Sequence, residues 1–206
     1  MPLVELNLPV DRTSLPGDVR SFLREANRRI ERFQRDCHVP GFVPSDFTRA
    51  YHVLRALADA ELAPGNLFCE WGSGFGVVAC LAAMLDFDAC GIEIDGELVD
   101  AAQQLADDFG LAVAFVRGSF IPTAGLASAD GDFAWFSTDE GNVQDELGLA
   151  PDDFDVIFAY PWPDEEAVTG DLFRRYARRG AVLVTYHGNE NLRLRRKTVA
   201  RKTSRR

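Results

Sequence analysis

The sequence predicts one α/β domain built on a doubly wound, mostly parallel sheet, and three observations carry that prediction. Short apolar runs of strand length alternate with amphipathic segments of helix length from about residue 67 onward. The first of those runs ends in a loop with glycine at every second position, Gly72, Gly74 and Gly76. The chain has 206 residues, of which 47% are hydrophobic and 26% charged, enough for one sizeable core and short for two.

Asp18 to Asp36 places Phe22, Leu23, Ala26, Ile30 and Phe33 on one helical face, which predicts an amphipathic N-terminal helix. Two prolines and a glycine between His38 and Pro44 stop it. Ser45-Asp46 offers a cap for a second helix over Phe47–Ala60, which Pro64-Gly65 ends. Leu67–Trp71 then reads as a buried strand and Phe75–Leu85 as a helix. Ala89–Ile94, Ala112–Arg117, Asp155–Tyr160 and Ala181–His187 read as further strands, with Gly96–Phe109 and Asp164–Arg179 as connecting helices. Asn191–Lys197 is long enough for one short antiparallel strand. Right-handed crossovers between such strands give a doubly wound order.

The N-terminus has neither a basic region nor a long apolar run, and the longest apolar stretch, Val77–Leu85, is too short to cross a bilayer. A cytoplasmic protein with no membrane partner is expected. Cys37, Cys69, Cys80 and Cys90 form no C-x-x-C pair, and the three histidines are scattered, so no metal site is expected. The net charge of −10 is uneven: eight of the 22 basic residues follow residue 192, and every acid precedes it. Asp130 to Asp171 holds thirteen acids and no base. The acidic bulk disfavours nucleic acid as a partner, because phosphates need a basic footprint.

Glycines at 72, 74 and 76 let a ligand approach the main chain without a Cβ in the way. A dinucleotide fingerprint would need glycine at position 77, which is Val77. The pattern is instead E-x-G-x-G-x-G, with Glu70 ahead of the loop, and a carboxylate there suits a ligand with an amino or sulfonium group better than a pyrophosphate. The second strand ends in Glu93, a position from which a carboxylate accepts both hydroxyls of a ribose.

With those residues in hand, Phe42 to His187 resembles the class I, seven-strand, Rossmann-like S-adenosylmethionine-dependent methyltransferases. The resemblance implies S-adenosyl-L-methionine as cofactor. It implies that Glu70, Trp71, Gly72, Ser73, Gly74 and Gly76 hold the methionine end and that Glu93 holds the ribose. Ile94 would flank the adenine, with Ser119 and Phe120 near its edge. Within the family, Phe42–Asp46 (FVPSD) is similar to small bacterial and mitochondrial protein-lysine methyltransferases.

The chain departs from the family where many amine-methylating members carry an Asp/Asn-Pro-Pro-aromatic motif; here it reads Ala159-Tyr160-Pro161-Trp162-Pro163. Tyr160, Trp162 and Asp164 are the catalytic candidates, with Glu165 and Glu166 as rival acids. The acidic run suggests a cationic acceptor, a lysine of a protein, against a solvated loop with no partner. The expected division is an N-terminal helical extension (1–45), a methyltransferase domain (46–192) with shortened C-terminal strands, and a basic tail (193–206). A non-catalytic S-adenosylmethionine-binding module and a small-molecule methyltransferase are the alternatives.

Overall fold

The computed structural model describes residues 1–11, 13–37, 39, 41–121, 143–187 and 192–198. Its centre is a seven-stranded sheet of β1 (Leu3–Glu5), β2 (Leu67–Trp71), β3 (Asp88–Glu93), β4 (Val113–Arg117), β5 (Val156–Ala159), β6 (Val182–Tyr186) and β7 (Leu192–Lys197). The spatial order is β1-β7-β6-β5-β2-β3-β4. Strands β2 to β6 run parallel; β7 is antiparallel to both β6 and β1. The order reverses direction at β2, with β3 on one side and β5 on the other. Open α/β sheets bind ligands at such a switch point, beyond the carboxyl ends of the strands.

Helices cover both faces, as strands with no polar alternation require. One face carries α1 (Gly17–Asp36), α2 (Phe47–Asp59), α3 (Val77–Ala83) and α4 (Gly96–Asp108), packed with Phe68, Phe158, Val182 and Val184 in one core cluster. The other carries α5 (Val143–Leu147) and α6 (Glu166–Tyr176), where Val143 and Phe173 pack on Cys69, Cys90, Ile157 and Leu183. In α1 the expected stripe is buried at Phe22, Leu23, Ala26 and Ile30. Asp46 caps α2 by accepting the Arg49 N–H at 3.0 Å. No helix among the described residues is long and apolar enough to cross a membrane.

The antiparallel strand expected within Asn191–Lys197 is present, and two expected bounds shift. Leu192–Lys197 pairs along its length with β6, so a basic tail does not begin at residue 193. Lys197 is buried, with its Nζ donating to the Ala177 carbonyl and its main chain bonded to Ala181 and Gly180. The strand forms despite its charge because Leu194 enters the core while Arg193 meets Glu5 at 3.3 Å. The second difference lies at the N-terminus, where the expected helical extension also supplies a strand. Leu3, Val4 and Glu5 pair with Lys197, Arg196 and Arg195, giving the sheet its seventh strand at the edge.

Candidate functional site

The loop between β2 and α3 turns on three left-handed glycines, Gly72 (φ 67°), Gly74 (φ 53°) and Gly76 (φ 68°). A residue with a side chain is strained in that region. The three glycines differ in what surrounds them. A Cβ at Gly76 would fall 2.4 Å from the Phe115 ring and 2.8 Å from the Ala102 methyl, and one at Gly74 would fall 2.8 Å from the Phe42 ring. A Cβ at Gly72 would meet no protein atom within 4 Å. Gly74 and Gly76 are therefore fixed by packing, while Gly72 faces open space at the switch point.

Glu93 anchors this loop. Its Oε2 accepts the Gly74 N–H at 2.8 Å, and its Oε1 accepts those of Ile94 at 2.7 Å and Asp95 at 3.0 Å. A carboxylate has about four acceptor positions, and three are occupied. One ribose hydroxyl, rather than the expected pair, fits without displacing a backbone donor. Ile94 follows with 40% of its surface exposed, and Asp95 caps α4 through the Glu97 and Leu98 N–H groups.

Glu70 is turned to the first turn of α3. Its carboxylate, buried under α3, accepts the Ala79 N–H at 2.8 Å, one of the helix donors left without an intrahelical partner. Burial pushes the Glu70 carboxyl well above its ordinary range; the Ala79 N–H opposes that rise and the charge of Glu93 adds to it. Ser73 is buried with its hydroxyl unbonded. Trp71 lies on the opposite face of the sheet, stacked on Phe120 with ring centres 4.9 Å apart and planes 7° from parallel. Those two side chains pack on each other, and Ser119 Oγ accepts the Ile121 N–H at 3.2 Å.

The turn after β5 carries the catalytic candidates. Tyr160 meets Tyr186 edge to face at 4.7 Å, and burial followed by that neighbour raises its phenol above the ordinary range. Trp162 is 47% exposed. The three acids separate clearly. Asp164 is exposed. Glu165 is buried, holds the Trp162 N–H at 3.0 Å with Oε2, and has a carboxyl raised chiefly by burial. Glu166 holds His187 Nδ1 at 2.5 Å, and His187 Nε2 lies 2.7 Å from the Thr185 hydroxyl. Sequence reasoning read His187 only as a strand end. Its two partners lie on β6 and at the start of α6, and only the fold brings the three together. Residues 130–142 of the acidic run lie outside the described residues.

A cavity of about 770 Å3 lies at the β7 edge of the sheet. Its walls are Glu5, Leu6, Leu8, Leu15 and neighbouring residues of the N-terminal segment, the first two turns of α2 and the first residues of β7. Leu192, in its wall, pairs with Tyr186 across the sheet, and Phe42, just ahead of α2, rests against Gly74. The cavity lining holds no residue of the glycine loop or of the Tyr160–Pro163 turn.

No family model matches the sequence, and no curated protein matches it. Solved structures do. An RNA methyltransferase from Salinibacter ruber in complex with S-adenosyl-L-homocysteine superposes with a TM-score of 0.51 at 21% identity, over 76% of this chain and 94% of that one. A methyltransferase from Geobacter sulfurreducens gives 0.53 at 14% identity, over 90% and 92%. A methyltransferase from Podospora anserina bound to S-adenosylhomocysteine gives 0.53 at 12%, over 84% of this chain and 63% of that one. At these identities the likeness establishes the fold: an α/β, Rossmann-like methyltransferase sheet.

Proposed function

We propose that the chain is an S-adenosylmethionine-dependent methyltransferase. One observation carries the reading: the glycine loop leaves Gly72 open at the switch point while Glu93 holds the loop and keeps an acceptor position free. Methyltransferases among its structural neighbours bind the demethylated cofactor on the same fold. A dinucleotide is disfavoured, because its pyrophosphate sits on a helix N-terminus and Glu70 already occupies the Ala79 N–H there.

The cofactor supplies a methyl group on a sulfonium. The chain's own task is alignment, with the glycine loop and Glu93 fixing the donor and the Tyr160–Pro163 turn facing the acceptor. Methyl transfer needs no covalent bond to the protein. An amine acceptor must lose its proton first, since a free lysine has a pKa of about 10.4.

Two acceptors are to be told apart. Asp164 is an exposed acid at the turn and belongs to the long acidic run, which favours a cationic acceptor, a lysine of a protein. A small molecule is the alternative. Titration calorimetry with S-adenosylhomocysteine and with NAD tests the cofactor: heat with NAD alone sinks the reading. Labelled S-adenosylmethionine added to a cell lysate tests turnover, and silence there with intact cofactor binding leaves only a binding module. Label in the protein fraction, lost steeply with salt, marks the lysine; label in the small organic fraction marks the other acceptor.

A further inference from the structure

We infer that the pole of the molecule where the end of α6 meets the end of β7 is a docking surface for the phosphate backbone of a nucleic acid. The inference goes beyond the methyltransferase reading and does not depend on it.

Charge is the first argument. Twelve of the 22 basic residues lie after Asp171, together with one of the 32 acids, Glu190. The acidic bulk that disfavours nucleic acid for the chain as a whole therefore belongs to residues 1–171, and the rest carries the opposite sign. Charge divided this sharply between two parts of a chain points to an anionic partner for the basic part.

The fold is the second. The basic residues fall in two stretches, Arg174–Arg179 and Arg193–Arg206, and the topology joins them. β7 is antiparallel to β6, so it ends where β6 starts, just past α6. There the Gly180 N–H donates to the Lys197 carbonyl at 2.9 Å, and Lys197 Nζ donates to the carbonyl of Ala177. Arg201, Lys202, Arg205 and Arg206 continue the sequence from this point. Arg174, Arg175, Arg178 and Arg179 are exposed beside it. Arg178 is held by the buried Asp155 at 2.9 Å. Arg174 meets Asp171 at 2.7 Å, but both partners are exposed, and a pair of that kind is weak enough to exchange for a phosphate. Exposed Asp152 also reaches this pole, where its charge acts on Lys197.

The place is the third. The pole lies at the amino end of β6, whereas the glycine loop and the Tyr160–Pro163 turn leave the carboxyl ends of β2 and β5. A five-residue strand such as β6 spans about 16 Å. A partner held at the pole thus leaves the cofactor loop and the acceptor turn open.

The kind of anion follows from what the pole lacks. Protein interfaces have a core depleted of charge, in which aromatic and apolar side chains are buried. A polybasic segment holds a membrane stably only with a second, apolar anchor. Here Ala177 is buried in the core, Tyr176 lies under the Arg175 guanidinium at 5.6 Å, and past Lys197 the sequence offers Val199 and Ala200 alone. A phosphate backbone needs no apolar contact; it is a repeating charge, and the planar guanidinium matches each phosphate at two points.

The test is fluorescence anisotropy of a fluorescein-labelled thymidine 20-mer with the full chain, at several salt concentrations. Polyglutamate and phosphatidylserine vesicles serve as rival anions. Two variants divide the pole: Arg174→Gln/Arg175→Gln/Arg179→Gln, which spares the Arg178–Asp155 pair, and a chain ended after Thr198. The wild type should bind with a Kd of about 1–100 μM at about 0.15 M salt. Its log K should fall against log salt with a slope of about −5, for seven basic residues each neutralising a phosphate of a single strand. The triple variant should flatten that slope by about 2 and the shortened chain by about 3, with melting temperatures unchanged because the positions are outside the core. No binding by the wild type at that salt, or an unchanged slope in the triple variant, overturns the inference. Stronger competition by polyglutamate or by vesicles than by unlabelled oligonucleotide overturns it too, and puts an acidic protein or a membrane in its place. Failure of the methyltransferase reading shows separately, as absence of S-adenosylhomocysteine heat.

Discussion

Gly72→Ala is the most informative single change, because the structure separates what it does to the protein from what it does to a ligand. The new methyl sits on a residue with φ 67°, and a left-handed backbone costs a residue with a Cβ about 1–2 kcal/mol. It meets no protein atom within 4 Å, so no clash adds to that cost. For a chain of this size each kcal/mol lowers the melting temperature by about 2–4 °C, so a fall of about 2–8 °C is expected. Gly110→Ala is the matched control: φ is 63°, a Cβ there also meets nothing within 4 Å, and the position lies in the turn after α4. The two variants should melt alike. They should differ in calorimetric titration, where Gly72→Ala weakens S-adenosylhomocysteine by at least about tenfold, or 1.4 kcal/mol, and Gly110→Ala leaves it unchanged. Gly76→Ala completes the set, because its Cβ collides with Phe115 and Ala102; strain and overpacking together should cost about 2–5 kcal/mol. If Gly72→Ala binds S-adenosylhomocysteine as tightly as the wild type, the ligand does not lie on this loop.

Glu93→Ala removes a charged acceptor from a ribose hydroxyl and should weaken the cofactor by about 1.5–3 kcal/mol in titration, with some loss of stability because three backbone donors lose their partner. Glu70→Gln keeps an oxygen for Ala79 but cannot ionise. The folded Glu70 holds its proton above the unfolded value of 4.5, so the wild type loses stability as pH rises from there through the raised folded value. The melting temperature of Glu70→Gln should therefore gain on the wild type as pH rises from 4.5 toward the raised folded value, and a constant difference over that rise would show that Glu70 ionises normally. Ending the chain after Arg196 removes the backbone bonds from Lys197 to Ala181 and from Gly180 to Lys197, along with that of Thr198 to Pro2; a loss of about 2–4 kcal/mol in denaturant unfolding is expected. If Asp164, Glu165 and Glu166 steer a lysine, their triple amide variant should lower catalytic efficiency at low salt and erase its salt dependence; an uncharged small-molecule acceptor predicts neither effect.

The parallel strands and the glycine loop were legible in the sequence because their signals are local. A strand buried on both faces reads as an apolar run, and the left-handed turn at Gly72–Gly76 reads as glycine. The same turn explains a boundary that was misplaced. Phe75–Leu85 has helical spacing, yet the helix begins only at Val77, because Gly76 in the left-handed region ends the loop. The edge of the sheet was legible in part. The antiparallel strand within Asn191–Lys197 was expected, and it pairs with the nearby β6; nothing in Leu3–Glu5 marks a strand, which forms only by pairing with β7 at the other end of the chain. At the site, residue type alone could not rank Asp164, Glu165 and Glu166, since their difference is one of burial and partner. Nor could it foresee that Trp71, inside the glycine motif, turns its ring to the far face and stacks on Phe120.

Among the described residues β1 pairs with β7 alone, and all five parallel strands lie between those two in the chain. The parallel strands find their partners at shorter range, whereas Leu3–Glu5 has to wait for Leu192–Lys197. The contacts that close the sheet edge have close to the highest contact order this chain allows, and loop-closure entropy delays such contacts until the rest of the sheet is in place. The cavity wall that belongs to the same segment is therefore formed late, after the glycine loop. A partly folded chain can hold that loop in shape before the wall exists.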